Sequence, residues 1–379
     1  MNSGKTKLEK QEKLQEEALN IIWPHFKCSV DMSVGSGKTY LGLKHMLKLY
    51  EADNTRKFLV VHPTKSIKDS WSEAISVLKL DYLLDSITFV TYRSLLKSSY
   101  DYHCVYFDEC HSLKASHEPF LILFNGKILG LSGTMPEKGV RADLITKYMP
   151  TVYKYTTDDG VNDDMLNDYK IIVHMLPLDD RKNLPVKGKS WYTSELNSYN
   201  YWTSRLAKAD ESGNAKSLQI CRVMRMKEMQ NFLSKEDYVK ELLNIMPPSS
   251  KTIIFTNYKD QADRLCEHSY HSGNTNSNTN LESFKNGDIT RLSAVLQLNE
   301  GVNIPKLESG IILHAYGNNV KSQQRIGRLM RLNPDQTATI HILCYQATID
   351  EKWVKNALSA YAQDKIKYYD SINKCFINK

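Results

Sequence analysis

The sequence predicts an α/β protein: two parallel-sheet domains in tandem, with a helical insertion. Three observations carry this. Short apolar runs recur at intervals long enough for a crossover helix, first over residues 58 to 131 and again over 252 to 343. A loop of small residues, Met32-Ser33-Val34-Gly35-Ser36-Gly37-Lys38-Thr39, sits between the apolar run Cys28 to Met32 and a helical pattern beginning at Thr39. Residues 190 to 246, between the two series, lack strand signals and read as long helices. The 379 residues, 41% of them hydrophobic, suffice for two domain-sized cores.

Bulk properties exclude several classes. No apolar run approaches the roughly 20 residues of a membrane span, and the Lys/Glu-rich N-terminus lacks a signal-peptide core. An intracellular, cytoplasmic protein with no membrane partner is expected. Seven scattered cysteines, an odd count, argue against a disulfide framework. His103-Cys104 and Cys110-His111 suggest zinc at first sight, but the strand-like Val105 to Phe107 would hold the cysteines about 20 Å apart, too far for one tetrahedral ion. A net charge of +7 permits a polyanionic partner without identifying one.

Along the chain, Leu8, Leu14, Ala18, Ile21 and Ile22 share one helical face, and Pro24 ends the run. Strand-like runs follow at Phe58 to Val61, Ile87 to Val90, Cys104 to Phe107 and Ile128 to Leu131. Near Met149-Pro150 the composition turns Tyr/Thr/Asp-rich before the run Ile171 to Met175. After the helical stretch and Pro247-Pro248-Ser249-Ser250, strand-like runs return at Thr252 to Phe255, Leu292 to Leu296, Gly310 to Leu313 and Thr339 to Leu343. The polar stretch His271 to Asn280 is expected to be a mobile loop, and the segment around Trp353 to Tyr369 an amphipathic helix. The expected boundaries are 1–155 for the first domain, 156–189 for the connection with the first strand of the second, 190–246 for the helical arm, and 247–379 for the rest of the second domain.

The small-residue loop can gather backbone N–H groups around phosphate oxygens at a helix N-terminus. Lys38 would reach the outer phosphates, and Thr39 would offer its hydroxyl to Mg²⁺. Gly4-Lys5-Thr6 is a decoy, since no strand precedes it. Asp108-Glu109-Cys110-His111 directly follows a strand, so both carboxylates emerge where an open α/β sheet binds ligand. Asp108 is placed to hold Mg²⁺ through water and Glu109 to polarise the attacking water; alone, such a pair would read as a helix cap. Ser132-Gly133-Thr134, after the next strand, can hydrogen-bond the acidic loop, with an ordinary turn as the competing explanation. Gln324-Arg325-Ile326-Gly327-Arg328-Leu329-Met330-Arg331 sets arginines at helical spacing, suited to charge developing on a γ-phosphate across a cleft.

With these motifs in hand, the chain resembles a superfamily 2 helicase or translocase with two RecA-like domains, its acidic box in the DECH form. The resemblance implies that Gln15 reads adenine, that Ser33, Val34, Gly35, Ser36, Gly37, Lys38 and Thr39 form the phosphate loop, and that Gly301 and Asn303 belong to a nucleotide-contacting motif. Asn303 stands where Asp is usual. It further implies catalytic roles for Lys38, Asp108, Glu109, Gln324, Arg328 and Arg331, with Thr39 and Asp108 on the metal. Pro63, Thr64, Lys65, Thr91, Tyr92, Arg93, Thr256 and Asn257 sit where the family lines one strand of nucleic acid, although such residues are also ordinary loop positions.

Trp71 resembles the tryptophan of DNA-acting branches, among them type III restriction motors, and segments near Tyr153 and Leu166 resemble compact phage helicases of the UvsW-like kind. ATP and Mg²⁺ are the implied cofactors. DNA, single-stranded or forked, is the implied partner, together with replication or recombination proteins. An RNA helicase, a restriction motor subunit and a non-catalytic ATP-sensing module are the rivals.

Overall fold

The computed structural model describes residues 7–33, 35–166, 168–186, 188–295, 304, 307–315, 326, 329 and 337–378. Two compact units emerge, one built on the residues up to Asp168 and the other on those from Tyr169 onward.

In the first unit the elements run α1 (Lys7–Ile22), β1 (Lys27–Met32), α2 (Lys38–Ala52), β2 (Phe58–His62), α3 (Lys65–Val77), β3 (Ile87–Thr91), β4 (Cys104–Asp108), α4 (Glu118–Leu123), β5 (Lys127–Ser132), α5 (Val140–Tyr148), β6 (Thr151–Tyr155) and α6 (Thr157–Asn162). The strands form one sheet in the order β3-β2-β4-β5-β1-β6, and every pairing is parallel. Side chains alternate across a strand, and helices cover both faces, so the central strands β2 and β4 are buried along their whole length. Phe58 and Val60 of β2 pack with Val30, Trp71 and Tyr106 on one face. Leu59 and Val61 pack with Val105, Phe107, Phe120 and Leu144 on the other. The first helix is pinned at Lys10, whose ammonium donates to the Asp163 carbonyl at 3.1 Å and to Asp164 Oδ2 at 3.0 Å.

The second unit contains β7 (Tyr169–Leu176), β8 (Leu184–Pro185), β9 (Tyr192–Thr193), α7 (Glu195–Glu211), α8 (Ala215–Asn231), α9 (Ser234–Ile245), β10 (Thr252–Thr256), α10 (Lys259–Leu265), β11 (Ser269–Tyr270), α11 (Ser277–Asn286), β12 (Arg291–Val295), β13 (Ser309–Ile312), β14 (Ala338–Tyr345), α12 (Ile349–Leu358), β15 (Ile366–Asp370) and β16 (Cys375–Ile377). Its sheet runs β11-β12-β10-β13-β14-β7-β15-β16, parallel except for the last, antiparallel pairing. Three helices fill the region read as a helical arm, and they differ in packing. Val239 and Leu243 of α9 are buried in the core with Ile254, Ile311 and Leu343, whereas among the described residues α7 and α8 enter that core through Tyr199 and Met229, with Phe232 just after α8.

A buried cation fastens α9 to the sheet. Lys235 Nζ donates to the carbonyls of Leu313 and Leu343, both at 2.9 Å, and to Asp350 Oδ2 at 2.6 Å. Both partners of the ion pair are buried.

Two local expectations are corrected. The stretch read as a mobile loop over His271 to Asn280 gives way to α11 at Ser277, because Leu281 and Phe284 supply a buried face and Gly287, at φ 90°, closes the helix in the left-handed region. The amphipathic helix expected through Tyr369 stops at Leu358, and Ile366–Asp370 instead pairs in parallel with β7. There the register sets Ile366 beside Ile171 and Tyr368 beside Val173, the ladder of a strand rather than a helix.

Candidate functional site

In a wholly parallel sheet every strand ends on the same edge, so the loops after β1, β2, β3, β4 and β5 of the first unit share one rim. The loop after β1 is turned by two left-handed glycines, Gly35 at φ 93° and Gly37 at φ 87°. Only glycine holds such angles without strain. The Ser36 hydroxyl donates to the Ser33 carbonyl at 2.7 Å, and the Lys38 ammonium donates back to the Met32 carbonyl at 3.1 Å. Ser33 Oγ is buried with no hydrogen-bond partner among the described residues. An orphaned hydroxyl beside a helix N-terminus and a lysine fits a phosphate. Thr39 lies in the first turn of α2.

The first helix lends two carboxamides to this loop. A Cβ at Gly37 would collide with the Nε2 atoms of Gln15 and Gln11, and Gln11 Nε2 donates to the Gly35 carbonyl at 3.3 Å. Gln15, read from the resemblance as the adenine contact, is buried against this loop. Gln11, one turn earlier on the same face, was not anticipated, although its i, i+4 spacing to Gln15 was readable.

The acidic pair sits at the end of β4. Glu109 adopts φ 51°, a left-handed conformation that costs a non-glycine residue about 1–2 kcal/mol and tends to be tolerated where a side chain has work to do. Its backbone N–H donates to Asp108 Oδ1 at 2.9 Å. The carboxylate oxygen Oε2 lies 3.2 Å from His111 Nδ1, which in turn meets Ser132 Oγ at 2.9 Å. The serine after β5 therefore does bond to the acidic loop. Burial pushes the Asp108 carboxyl up to about 6, the Glu109 charge adds to this, and Trp71 and Lys38 pull it back. Asp31 of β1, between Ser132 and Lys154 in register, is also raised by burial, with Lys154 and Lys38 opposing.

Two aromatic donors meet Asp108. The Trp71 indole Nε1 donates to Oδ2 at 2.7 Å, and the Tyr92 hydroxyl donates to the Asp108 carbonyl at 2.9 Å. Trp71 was singled out from sequence only as a family mark. Its hydrogen bond was invisible there, because it joins residues on different elements.

Of the residues expected to line nucleic acid, Lys65 and Arg93 are exposed, and Pro63, Thr64, Thr91 and Asn257 are half-buried. Two placements correct the expectation. Tyr92 is buried, with its ring stacked on Phe107, so its hydroxyl serves the acidic loop rather than a surface. Thr256 is fully buried and its hydroxyl donates to the Tyr258 carbonyl at 3.1 Å. Val34, Gly301, Asn303, Gln324, Arg328 and Arg331 lie outside the described residues.

Residues 8–137 match the family described as "Type III restriction enzyme, res subunit", and residues 234–333 match the helicase conserved C-terminal domain. The chain is 24% identical over 368 residues to the DNA 3'-5' translocase XPB2 of Sulfurisphaera tokodaii, covering 87% of this chain and 80% of that protein. Its fold is similar to that of the ATP-dependent Type ISP restriction-modification enzyme LlaBIII bound to DNA, with a TM-score of 0.60 and 15% identity over 96% of this chain and 30% of that one. It is also similar to the DUF1998 helicase MrfA bound to DNA, with a TM-score of 0.56 and 14% identity over 91% of this chain and 47% of that one. The chain thus spans less than half the length of these two structures' chains.

Proposed function

Starting from a chain that belongs among the superfamily 2 helicases and translocases, we propose that it hydrolyses ATP to move along or unwind DNA. The observation that carries this is the shared rim: the phosphate-type loop with its orphaned Ser33 hydroxyl and Lys38, and the acidic pair of buried Asp108 and half-buried Glu109, end strands of one parallel sheet.

In this reading Ser33, Gly35, Ser36, Gly37 and the first N–H groups of α2 bind the phosphates, and Lys38 leaves the Met32 carbonyl for the outer ones. Thr39 and Asp108 would hold Mg²⁺, which when bound neutralises charge on the phosphate oxygens. Glu109 orients and deprotonates the attacking water, with His111 Nδ1 3.2 Å from its carboxylate. Gln15 reads adenine, with Gln11 as its neighbour on the loop. Gln324, Arg328 and Arg331 are proposed, from their spacing alone, to stabilise the charge of phosphoryl transfer. Lys65 and Arg93 are proposed to hold nucleic-acid phosphates, and Pro63, Thr64, Thr91 and Asn257 to flank them.

DNA is the proposed track because the curated relative is named a DNA translocase and both structural neighbours are DNA-bound. Replication, recombination or repair in a phage or bacterial cell is the proposed setting. A second reading, the motor subunit of a restriction system, is favoured by the res-subunit match. Co-purification with a methyltransferase or nuclease would decide for it.

The direct test is ATP hydrolysis with single-stranded, duplex and forked DNA and with RNA, at fixed salt. Expected is stimulation by DNA over RNA, abolished in Lys38→Ala, with Glu109→Gln binding ATP without turning it over. A purified, folded protein that hydrolyses no ATP with any of these polymers overturns the motor reading; stronger stimulation by RNA reassigns its track.

A further inference from the structure

We propose that Trp71 and Tyr92 are positioning residues that make the placement of Asp108 depend on nucleic-acid occupancy of the loops after β2 and β3. This rests on the function proposed above.

An exposed cation stands at each of those loops, Lys65 at the start of α3 and Arg93 in the turn after β3, and each segment also holds a buried aromatic donor that ends on Asp108. Lys65 opens α3, and Trp71 lies six residues on, about 9 Å along the same rigid helix. Tyr92 opens the 3₁₀ turn Tyr92–Lys97, directly after Thr91 and directly before Arg93. The indole has little freedom to swing. It is fully buried, it packs edge-on to Tyr106 with ring centres 6.1 Å apart, and Gly42 of α2 is bare beneath it: a Cβ there would lie 2.7 Å from Trp71 Cη2.

A movement of α3 therefore carries Nε1 with it, and a short hydrogen bond to a carboxylate weakens steeply with displacement. The second donor acts on the Asp108 backbone. Together they hold both the side chain and the peptide of the residue assigned to the metal. A purely structural role predicts something different: loss of stability with no change in coupling.

Coupling is read from equilibrium binding alone. The affinity for a Mg²⁺ complex of a non-hydrolysable ATP analogue is measured by calorimetry with and without a single-stranded oligodeoxynucleotide, for parent, Trp71→Phe and Tyr92→Phe. DNA affinity and thermal unfolding are followed in parallel. In the parent, DNA should tighten the nucleotide complex at least fivefold, within the range of ordinary coupling between sites. Either variant should keep its DNA affinity within about twofold and lower that ratio to about two or less. Trp71→Phe should also require several-fold more Mg²⁺ for half-maximal ATP hydrolysis.

Folded variants with the parent's ratio overturn the inference and leave the ATPase reading standing, as does loss of DNA affinity in step with the ratio. A parent that binds no nucleotide overturns both. Should Trp71→Phe fail to fold, Tyr92→Phe, which removes one hydroxyl, decides the matter alone.

Discussion

The indole N–H of Trp71 donates to Asp108 Oδ2 across 2.7 Å inside the first unit, where neither side chain has appreciable contact with solvent. A neutral donor on a buried carboxylate partly offsets the desolvation that raises Asp108. The same indole fills the space between the phosphate-loop helix and the sheet. One side chain thus joins the packing of α2, the position of α3 and the electrostatics of the acidic loop.

Gly42→Ala tests that packing. On an ordinary helix the change is favourable by about 1 kcal/mol. Here the new methyl would meet Trp71 Cη2 at 2.7 Å and Leu131 Cδ1 at 3.2 Å. Urea denaturation should show a loss of about 1–3 kcal/mol, as for overpacking elsewhere, and near-ultraviolet circular dichroism should change with the displaced indole.

Glu109→Gly should separate stability from activity. Glycine carries no penalty at φ 51°, and removing the carboxylate lowers the repulsion that helps hold Asp108 up. Stability by chemical denaturation is expected to rise by about 1 kcal/mol, while ATP hydrolysis disappears.

Lys235→Met should be among the more destabilising single changes in the second unit, costing about 3–5 kcal/mol, because it leaves Asp350 charged and buried without its cation. Combining it with Asp350→Asn should recover part of the loss. The amide keeps an acceptor for the Tyr345 backbone N–H, 3.0 Å from Asp350 Oδ2. Unfolding curves of the single and double variants supply the comparison.

Acid should weaken the fold through buried histidines. Burial, with Lys127 and Lys48 nearby, lowers His45 to about 3. Burial and His341 lower His174 to about 3, and burial with Lys170 lowers His341 to about 4. The unfolded chain takes up these protons near pH 6.5 and the fold resists until pH 3 to 4, so stability is full above 6.5 and falls as the pH drops below it. Each histidine can contribute up to about 1.4 kcal/mol per pH unit. His45→Phe should be less stable at pH 7.5, having left the Tyr106 hydroxyl 2.9 Å away without its partner. Its stability should also change less than the parent's between pH 7.5 and 5.5.

The sheets were legible because parallel strands buried on both faces advertise themselves: Phe58 to Val61 and Ile128 to Leu131 are strands where the apolar runs lie. The turn before α2 was legible because Gly35 and Gly37 take the positive φ that glycine tolerates best. What escaped was of two kinds. The polar sequence of α11 hides a helix whose buried face is only Leu281 and Phe284, and Ile366–Asp370 follows a helix without a glycine or proline to announce the change. The contacts of Trp71, Tyr92 and Gln11 escaped because each depends on which strands become neighbours, and pairing of β2 with β4 is a property of the folded sheet.

The covering of Gly37 by Gln11 and Gln15 makes α1 a component of the proposed nucleotide site rather than a lead-in to it. That helix is seated in the first unit's core by Leu14, Ala18 and Ile22 and is tied near its start by Lys10 to the Asp163–Asp164 turn. A change that unseats α1 would therefore disturb the proposed nucleotide site while leaving Gly35, Gly37 and Lys38 in place.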